Sequence, residues 1–360
     1  MGLMMNHFTG EKTYEKENTR VAGNDLYNEQ STLKQQNTDG RIKSIDIARG
    51  IAIVCIVFSH VCWEYSNIIG ILKLFHVPVF FFISGIVLNI QKGLKKVFLR
   101  YYLSYVKWGI IGLAVANIAY ALYDKDCITG RAYVSAAISI FKMNALFPGI
   151  GQLWYLIVQI PIVILYIMII KKYGLRCAII VAVLLAVLNW QVGTIPLEWG
   201  FCNPINVVLG EGLFLVEGYW VRTHANFVQY NKCRASQLCL FLCFLLFVFQ
   251  KFFHISIDVR SNTFSPSYFL FYLCANIGIM VVFLAASILD GTGFGKILIL
   301  LGQNTLPILG MHMFVNYIVR GKKLGYVSDS SFIVLIVAFP LSLYVPIILD
   351  RLLNTIIKES

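Results

Sequence analysis

The stretch DIARGIAIVCIVFSH, residues 46–60, carries a guanidinium and an imidazole on an otherwise apolar segment. Ionisable groups inside a bilayer cost about 3 kcal/mol or more unless they face a polar interior. Eleven residues separate Arg49 from His60, which places them about 20° apart around a helix and about 16 Å apart along its axis. Asp46 precedes Arg49 by three residues, a spacing that permits an ion pair. This shared face is therefore predicted to look into a helical bundle and not at lipid.

The composition indicates an integral membrane protein. The chain has 360 residues, of which 58% are hydrophobic and only 13% are charged, whereas soluble domains carry about 25% charged residues. Its apolar residues come in blocks long enough to cross a bilayer as helices. We predict an all-α membrane protein, a bundle of about ten transmembrane helices. The predicted spans are 45–64, 72–90, 101–122, 152–170, 177–191, 204–221, 238–254, 267–289, 297–318 and 331–350.

The basic residues indicate orientation. The formal net charge of +12 does not indicate a nucleic-acid partner, because Lys and Arg lie in short clusters between apolar blocks. One set of predicted loops and tails carries 19 basic residues and the opposite set carries 8. The more basic side is expected to be cytoplasmic, which places both termini there in a multi-pass protein of the cell membrane. We expect a disordered cytoplasmic tail over 1–40, a membrane domain over 41–352 and a short cytoplasmic tail over 353–360.

Two further histidines are predicted to lie at the depth of His60. His76 is the second residue of the motif FHVPVFFFISGIVL, residues 75–88, near the outer end of the second span. His312, in LGQNTLPILGMHMF, residues 301–314, lies in the outer half of the ninth span. Two or three histidines are able to bind zinc. We nevertheless predict no metal, because no carboxylate or thiolate completes a recognisable ligand set; a satisfied interhelical hydrogen bond remains a structural alternative for His60.

Five segments in order resemble the acyltransferase 3 family of integral membrane O-acyltransferases, and especially its fucose 4-O-acetyltransferase-like branch. They are RIKSIDIARGIAIVCIVFSH (41–60), the motif at 75–88 with Ser84 and Gly85, KKVFLRYYLSY (95–105), GQLWYL (151–156) and the motif at 301–314. The resemblance covers roughly residues 41–350. It implies ten helices, an active-site histidine at His60, and transfer of an acyl group, usually acetyl, from cytoplasmic acetyl-CoA to a hydroxyl of a cell-surface glycan or lipid-linked sugar.

Roles for individual residues follow as hypotheses. His60 is expected to be the general base on the acceptor hydroxyl, with a covalent acetyl-histidine as the variant mechanism. Arg49, oriented by Asp46, is expected to hold an anionic part of the donor, although a snorkelling position at the membrane interface is the alternative. His312 is expected to polarise the thioester or to bind the acceptor. The remaining candidates are Lys95, Lys96, Arg100 and Ser84 for the coenzyme, and His76, Trp154, Glu211 and Asn304 for the acceptor.

Several structural alternatives stay open at this point. Lys95, Lys96 and Arg100 are equally typical of a topology anchor beside anionic headgroups. Ser84, next to Gly85, is also typical of a close helix contact, and Trp154 of an interface aromatic. For the whole chain, a transporter or flippase of a polysaccharide precursor or small molecule is the main functional alternative, and a membrane sensor without chemistry is another. The absence of any internal repeat disfavours an inverted-repeat transporter.

Overall fold

A computed structural model describes residues 43–122, 130–143, 151–193, 204–224, 232–319 and 331–359. The predicted tail at 1–40 lies outside these residues. The described chain is almost entirely helical, as its apolar blocks predict, and one short β-hairpin interrupts the helices.

The helices follow one another with short connections. In chain order they are α1 Lys43–Val61, α2 Ser66–Lys73, α3 His76–Ile86, α4 Leu94–Leu122, α5 Gly130–Phe141, α6 Trp154–Val192, α7 Pro204–His224, α8 Lys232–Phe253, α9 Tyr268–Leu289, α10 Gly293–Gln303, α11 Thr305–Val319 and α12 Phe339–Glu359. A 3₁₀ turn, Gly151–Leu153, leads into α6, while a short turn and the π-helix Val334–Ala338 lead into α12. Strands β1 Ser256–Asp258 and β2 Thr263–Ser265 pair antiparallel.

Several of these helices are long and apolar enough to cross a bilayer, which establishes a multi-pass membrane protein. Among the described residues six helices meet this condition, or seven if α10 and α11, bent by 86°, form one broken span. The predicted count of ten spans is not confirmed. Predicted spans 101–122 and 204–221 fall on α4 and α7, which are not among these helices, and predicted spans 152–170 and 177–191 both fall on α6. Gly174, with φ +82°, interrupts α6 between those two segments.

The end of the chain differs slightly from the expected boundary. Helix α12 continues without a break to Glu359, so that the segment expected as a tail from 353 onward extends the last helix.

Helix α8 buries little of its surface: 11% of its most apolar 18-residue segment lies inside the protein. Large apolar side chains such as Leu240, Phe244 and Phe252 are exposed on it, as expected for a helix that faces lipid.

Two pairs of glycines allow helix backbones to touch. A Cβ added at Gly50 of α1 would lie 2.1 Å from the carbonyl oxygen of Leu298 in α10, and one at Gly302 would lie on the carbonyl oxygen of Asp46. The same reciprocal contact joins α3 to α7, where Gly85 meets Leu215. Small residues at a crossing let two membrane helices approach closely. The glycine beside Ser84 thus has the close-contact role that its sequence position indicates.

The contact between α1 and α10 generates a testable prediction. Gly302→Ala should destabilise the protein by about 1–3 kcal/mol, because the new methyl group must push two helix backbones apart. Thermal unfolding in detergent measures the effect. Gly93→Ala is the matched control, because a Cβ at Gly93 has nothing within 4 Å. Equal melting temperatures for the two variants would show that this crossing is looser than described.

Candidate active site

The first turn of α1 holds the charged groups of the opening motif. Arg49 Nη1 lies 3.5 Å from Asp46 Oδ1, and Asp46 is almost fully buried. Gln303 Nε2, at the end of α10, donates a hydrogen bond of 3.0 Å to Asp46 Oδ2. The Asp46 carboxylate therefore has partners from two helices, and Arg49 keeps 27% of its side-chain surface exposed. A guanidinium that is held in place and partly exposed is suited to bind a carboxylate or phosphate.

Further along α1, His60 meets a second histidine. The ring centroids of His60 and His312 are 5.5 Å apart with 38° between the ring planes. His312 is fully buried on α11. Its Nδ1 lies 2.9 Å from the carbonyl oxygen of Ile308. Because a carbonyl only accepts, Nδ1 carries the proton, and in the neutral ring Nε2 is left with a lone pair. Within the described chain, no partner satisfies that nitrogen.

His76 bonds through Nδ1 to a carbonyl four residues earlier, as His312 does, and lines the same space as His60. Its Nδ1 donates to the carbonyl oxygen of Leu72 over 2.8 Å. His60 and His76 line two adjoining cavities together. The structure therefore brings together the three histidines for which the sequence predicts a common depth. Among the described residues, no three His, Cys, Asp or Glu side chains are arranged to hold a metal ion.

The larger of the two cavities, here called the wide cavity, has a volume of about 360 Å³. Ligand pockets range from about 300 to 1,000 Å³, so that the wide cavity can hold a small polar molecule. Its polar and charged lining consists of His60, His76, Lys73, Gln152, Trp154, Asp258 and Arg260.

The other, here called the narrow cavity, has a volume of about 70 Å³. It is lined by His60, by Ile56 and Ile53 of the same helix, and by Tyr155, Thr305, Leu306 and Leu309. Ile53 is about 10 Å from His60 along the axis and about 6 Å from Arg49. The narrow cavity thus leads from His60 most of the way towards Arg49.

A network of buried amides anchors the hairpin that contributes to the wide cavity. Asn189 near the end of α6 donates to Asn262 in the hairpin turn over 2.9 Å, and Asn206 of α7 donates to Asn189 over 2.7 Å. All three are buried. Buried polar groups held by several hydrogen bonds define one arrangement of the backbone. The turn that carries Arg260 is therefore fixed to the helices.

Other predicted residues lie close to these cavities. Trp154 lines both of them. Ser84 Oγ donates to the carbonyl oxygen of Phe80 and lies 3.3 Å from the hydroxyl of Tyr155, which lines the narrow cavity. Asn304 stands at the bend between α10 and α11 and donates to the carbonyl oxygen of Leu300. Trp154 thus forms part of the cavity wall, Ser84 lies next to it through Tyr155, and Asn304 directly precedes Thr305 of the narrow cavity.

Of the twelve predicted site residues, only His60, His76 and Trp154 line either cavity. Lys95, Lys96 and Arg100 are exposed on the first turns of α4. Glu211 is 1% exposed on α7, and neither carboxyl oxygen has a partner within the described chain. It neighbours Gly210, whose carbonyl accepts a hydrogen bond from Tyr268. The structure places Glu211 in the helical interior and gives it no contact with the histidine site.

Sequence reasoning missed four polar residues of the wide cavity: Lys73, Gln152, Asp258 and Arg260. From the sequence alone, nothing distinguishes Lys73 and Arg260 from other charged residues in loops or at helix ends. Strands of three residues give too short an alternating pattern to predict a hairpin. Gln152 alone had a signal, because it belongs to the GQLWYL motif.

The fold and site define a membrane-embedded protein with a histidine-lined reaction space between helices. The family model described as an acyltransferase domain matches residues 42–351. The chain therefore belongs to the acyltransferase 3 family and is a membrane acyltransferase. No curated protein sequence matches it.

The amide network generates a prediction about the cavity wall. Asn189→Leu should free the hairpin turn, because Asn206 and Asn262 both lose a buried partner, which costs about 1–3 kcal/mol. Amide hydrogen exchange across 256–265 should then be at least tenfold faster. Asn89→Leu is the control, since Asn89 is exposed and its side chain accepts a hydrogen bond from the backbone N–H of Gln91, far from the amide network in sequence. Unchanged exchange in Asn189→Leu would mean that other contacts hold the hairpin.

Proposed function

We propose that the chain transfers an acetyl group from cytoplasmic acetyl-CoA to a hydroxyl of a cell-surface glycan or lipid-linked sugar, with His60 as general base. One observation carries the proposal. His60 lies where the narrow cavity, which leads towards Arg49, joins the wide cavity, which has room for a polar acceptor. A base that deprotonates a hydroxyl must reach both the hydroxyl and the carbonyl that it attacks.

The donor is proposed to lie along α1. Acetyl-CoA is long and thin, with phosphates at one end and the thioester at the other. A guanidinium that Asp46 holds in place suits an anionic group, and the narrow cavity suits an unbranched arm that ends at His60. Lys95, Lys96 and Arg100 are proposed to bind coenzyme phosphates outside the cavities, where their exposure leaves them free to move.

The reaction is proposed as direct acyl transfer. His60 takes the proton of the acceptor hydroxyl while the hydroxyl oxygen attacks the thioester carbonyl. The C–S bond then breaks, and the proton passes from His60 to the sulfur, which releases free coenzyme A. We propose that His312 assists by accepting a hydrogen bond from the acceptor or from a protonated His60: its Nε2 has no partner in the described chain, and its ring lies 5.5 Å from that of His60.

The orientation completes the proposal. Both termini are proposed to be cytoplasmic, with ten spans and with His60 in the outer half of the membrane, as the asymmetry of Lys and Arg favours. The acceptor then enters the wide cavity from the extracytoplasmic side of the cell membrane. We also propose that the chain belongs to the fucose 4-O-acetyltransferase-like branch, which its five ordered motifs resemble.

Removal of the base tests the proposal. In membranes that contain the chain, His60→Ala should lower transfer of labelled acetyl from acetyl-CoA into glycans by about 10²–10⁴-fold, the usual contribution of a general base. Release of free coenzyme A, measured in parallel, should fall to the same extent. His224→Ala is the matched control, because His224 is exposed and stacks on Trp220 away from the cavities.

Two outcomes would contradict this proposal. Full transfer by His60→Ala at equal protein level would move the chemistry to another residue, with His312 the next to test. No coenzyme A release by the wild type with any glycan would favour the transporter or flippase alternative, since transport consumes no thioester.

A second test concerns the donor end. Arg49→Lys keeps a cation beside Asp46 but loses the planar fork that binds an anion through two hydrogen bonds. The KM for acetyl-CoA should rise about tenfold or more, as expected when a hydrogen bond to a charged group is lost. The KM for S-acetylpantetheine, which lacks the nucleotide phosphates, should change little. Equal rises for both donors would indicate that Arg49 acts on the thioester end instead.

A further inference from the structure

The wall of the wide cavity carries more positive than negative charge. Its charged lining residues within the described chain are Lys73, Arg260 and Asp258. Lys73 ends α2, directly before the α3 turn that holds His76. The other two lie on the hairpin. Neither cation is required by the acyl transfer proposed above, which leaves their position next to His60 unexplained.

The single carboxylate does not neutralise both cations. Asp258 Oδ2 lies 3.7 Å from Arg260 Nη2, and both side chains are more than 40% exposed, so that the pair contributes little. Asp258 Oδ1 accepts hydrogen bonds from the backbone N–H groups of Arg260 and Ser261 at 3.0 and 3.4 Å. The main effect of Asp258 is therefore to shape the turn. In the part of the chain that the structure describes, Lys73 has no ion pair.

The position of Arg260 is built into the fold. The amide network through Asn189 and Asn262 fixes the turn that carries it. Lys73 lines a further cavity of about 320 Å³ as well, which borders the wide cavity at Lys73 and Ile257. A bound anion at Lys73 would thus lie at the junction of two spaces, each large enough to hold part of an acceptor.

From this arrangement we infer that the acceptor carries an anionic group, a phosphate or a carboxylate, close to the hydroxyl that is acylated, and that Lys73 and Arg260 bind this group. The inference rests on the proposed function, because it assigns the wide cavity to the acceptor. Lys73 and Arg260 are specificity residues in this account: they select the acceptor and hold its hydroxyl near His60, while His60 acts on the proton. Arg49 serves the donor at the other end of α1.

Matched sugars test the inference without any need for turnover. The purified chain in phosphatidylcholine nanodiscs is titrated with glucose, glucuronate or glucose 1-phosphate, and thermal stabilisation gives each Kd. The wild type should bind at least one of the two anionic sugars with a Kd at least tenfold lower than that of glucose. Preference for glucose 1-phosphate would indicate a phosphorylated acceptor, and preference for glucuronate a uronic acid.

Charge variants separate recognition from folding. In Lys73→Gln/Arg260→Gln the preference should fall below twofold. In Lys73→Arg/Arg260→Lys, which keeps both charges, it should persist. Lys251→Gln is the control. Lys251 is exposed and precedes the same hairpin in sequence, but it lines none of the three cavities. Two results would overturn the inference. The wild type would bind glucose as tightly as both anionic sugars, or the Lys73→Gln/Arg260→Gln variant would keep the preference.

The donor supplies the remaining arm. The Lys73→Gln/Arg260→Gln variant should bind acetyl-CoA as tightly as the wild type does. If the variant instead loses affinity for acetyl-CoA but not for the anionic sugars, the two cations belong to the donor and the inference is overturned. Failure of the proposed function gives a different result. A chain that prefers anionic sugars through Lys73 and Arg260 but never releases coenzyme A would retain the anion site and contradict acyl transfer.

Discussion

The ion pair between Asp46 and Arg49 inside the first helix is the constraint on which the rest of the structure depends. Two charges can lie on a membrane helix only if other groups satisfy them, and here Gln303 completes the partners of Asp46. That hydrogen bond requires α10 to lie against α1, which the glycines at their crossing allow. Helix α11, which follows the bend after α10, then brings His312 to His60.

The site has two unlike ends because α1 separates them by about three helical turns. One end offers a guanidinium that a buried carboxylate holds in place, and the other offers a histidine cluster next to a cavity of about 360 Å³. The proposed reaction between a long anionic donor and a compact polar acceptor would use this separation. The narrow cavity is lined mainly by apolar side chains, which would favour exclusion of water from the proposed thioester.

The sequence predicts the parts of the site that lie on helices. The spacing of Asp46, Arg49 and His60 predicts one face of α1, and the depths of His76 and His312 predict the cluster, because helical rise and period are regular. Lys73 and Arg260 were missed, since a hairpin of three-residue strands has almost no periodic signal and its position depends on distant amides. Glu211 is predicted from its charge on an apolar span, whereas its absence from the lining of the two cavities depends on tertiary packing that the sequence does not show. The roles assigned to these residues remain predictions.

The most direct measurement is an experimental structure of the chain in lipid nanodiscs with a non-hydrolysable ketone analogue of acetyl-CoA. We predict that the analogue lies along α1. Its ketone carbonyl should lie beside His60, within hydrogen-bond reach of the position that the acceptor hydroxyl takes in the reaction, and an anionic part should contact Arg49. The wide cavity should stay open beside Lys73 and Arg260. An analogue whose phosphates occupy the wide cavity, or whose carbonyl lies far from His60, would contradict the account.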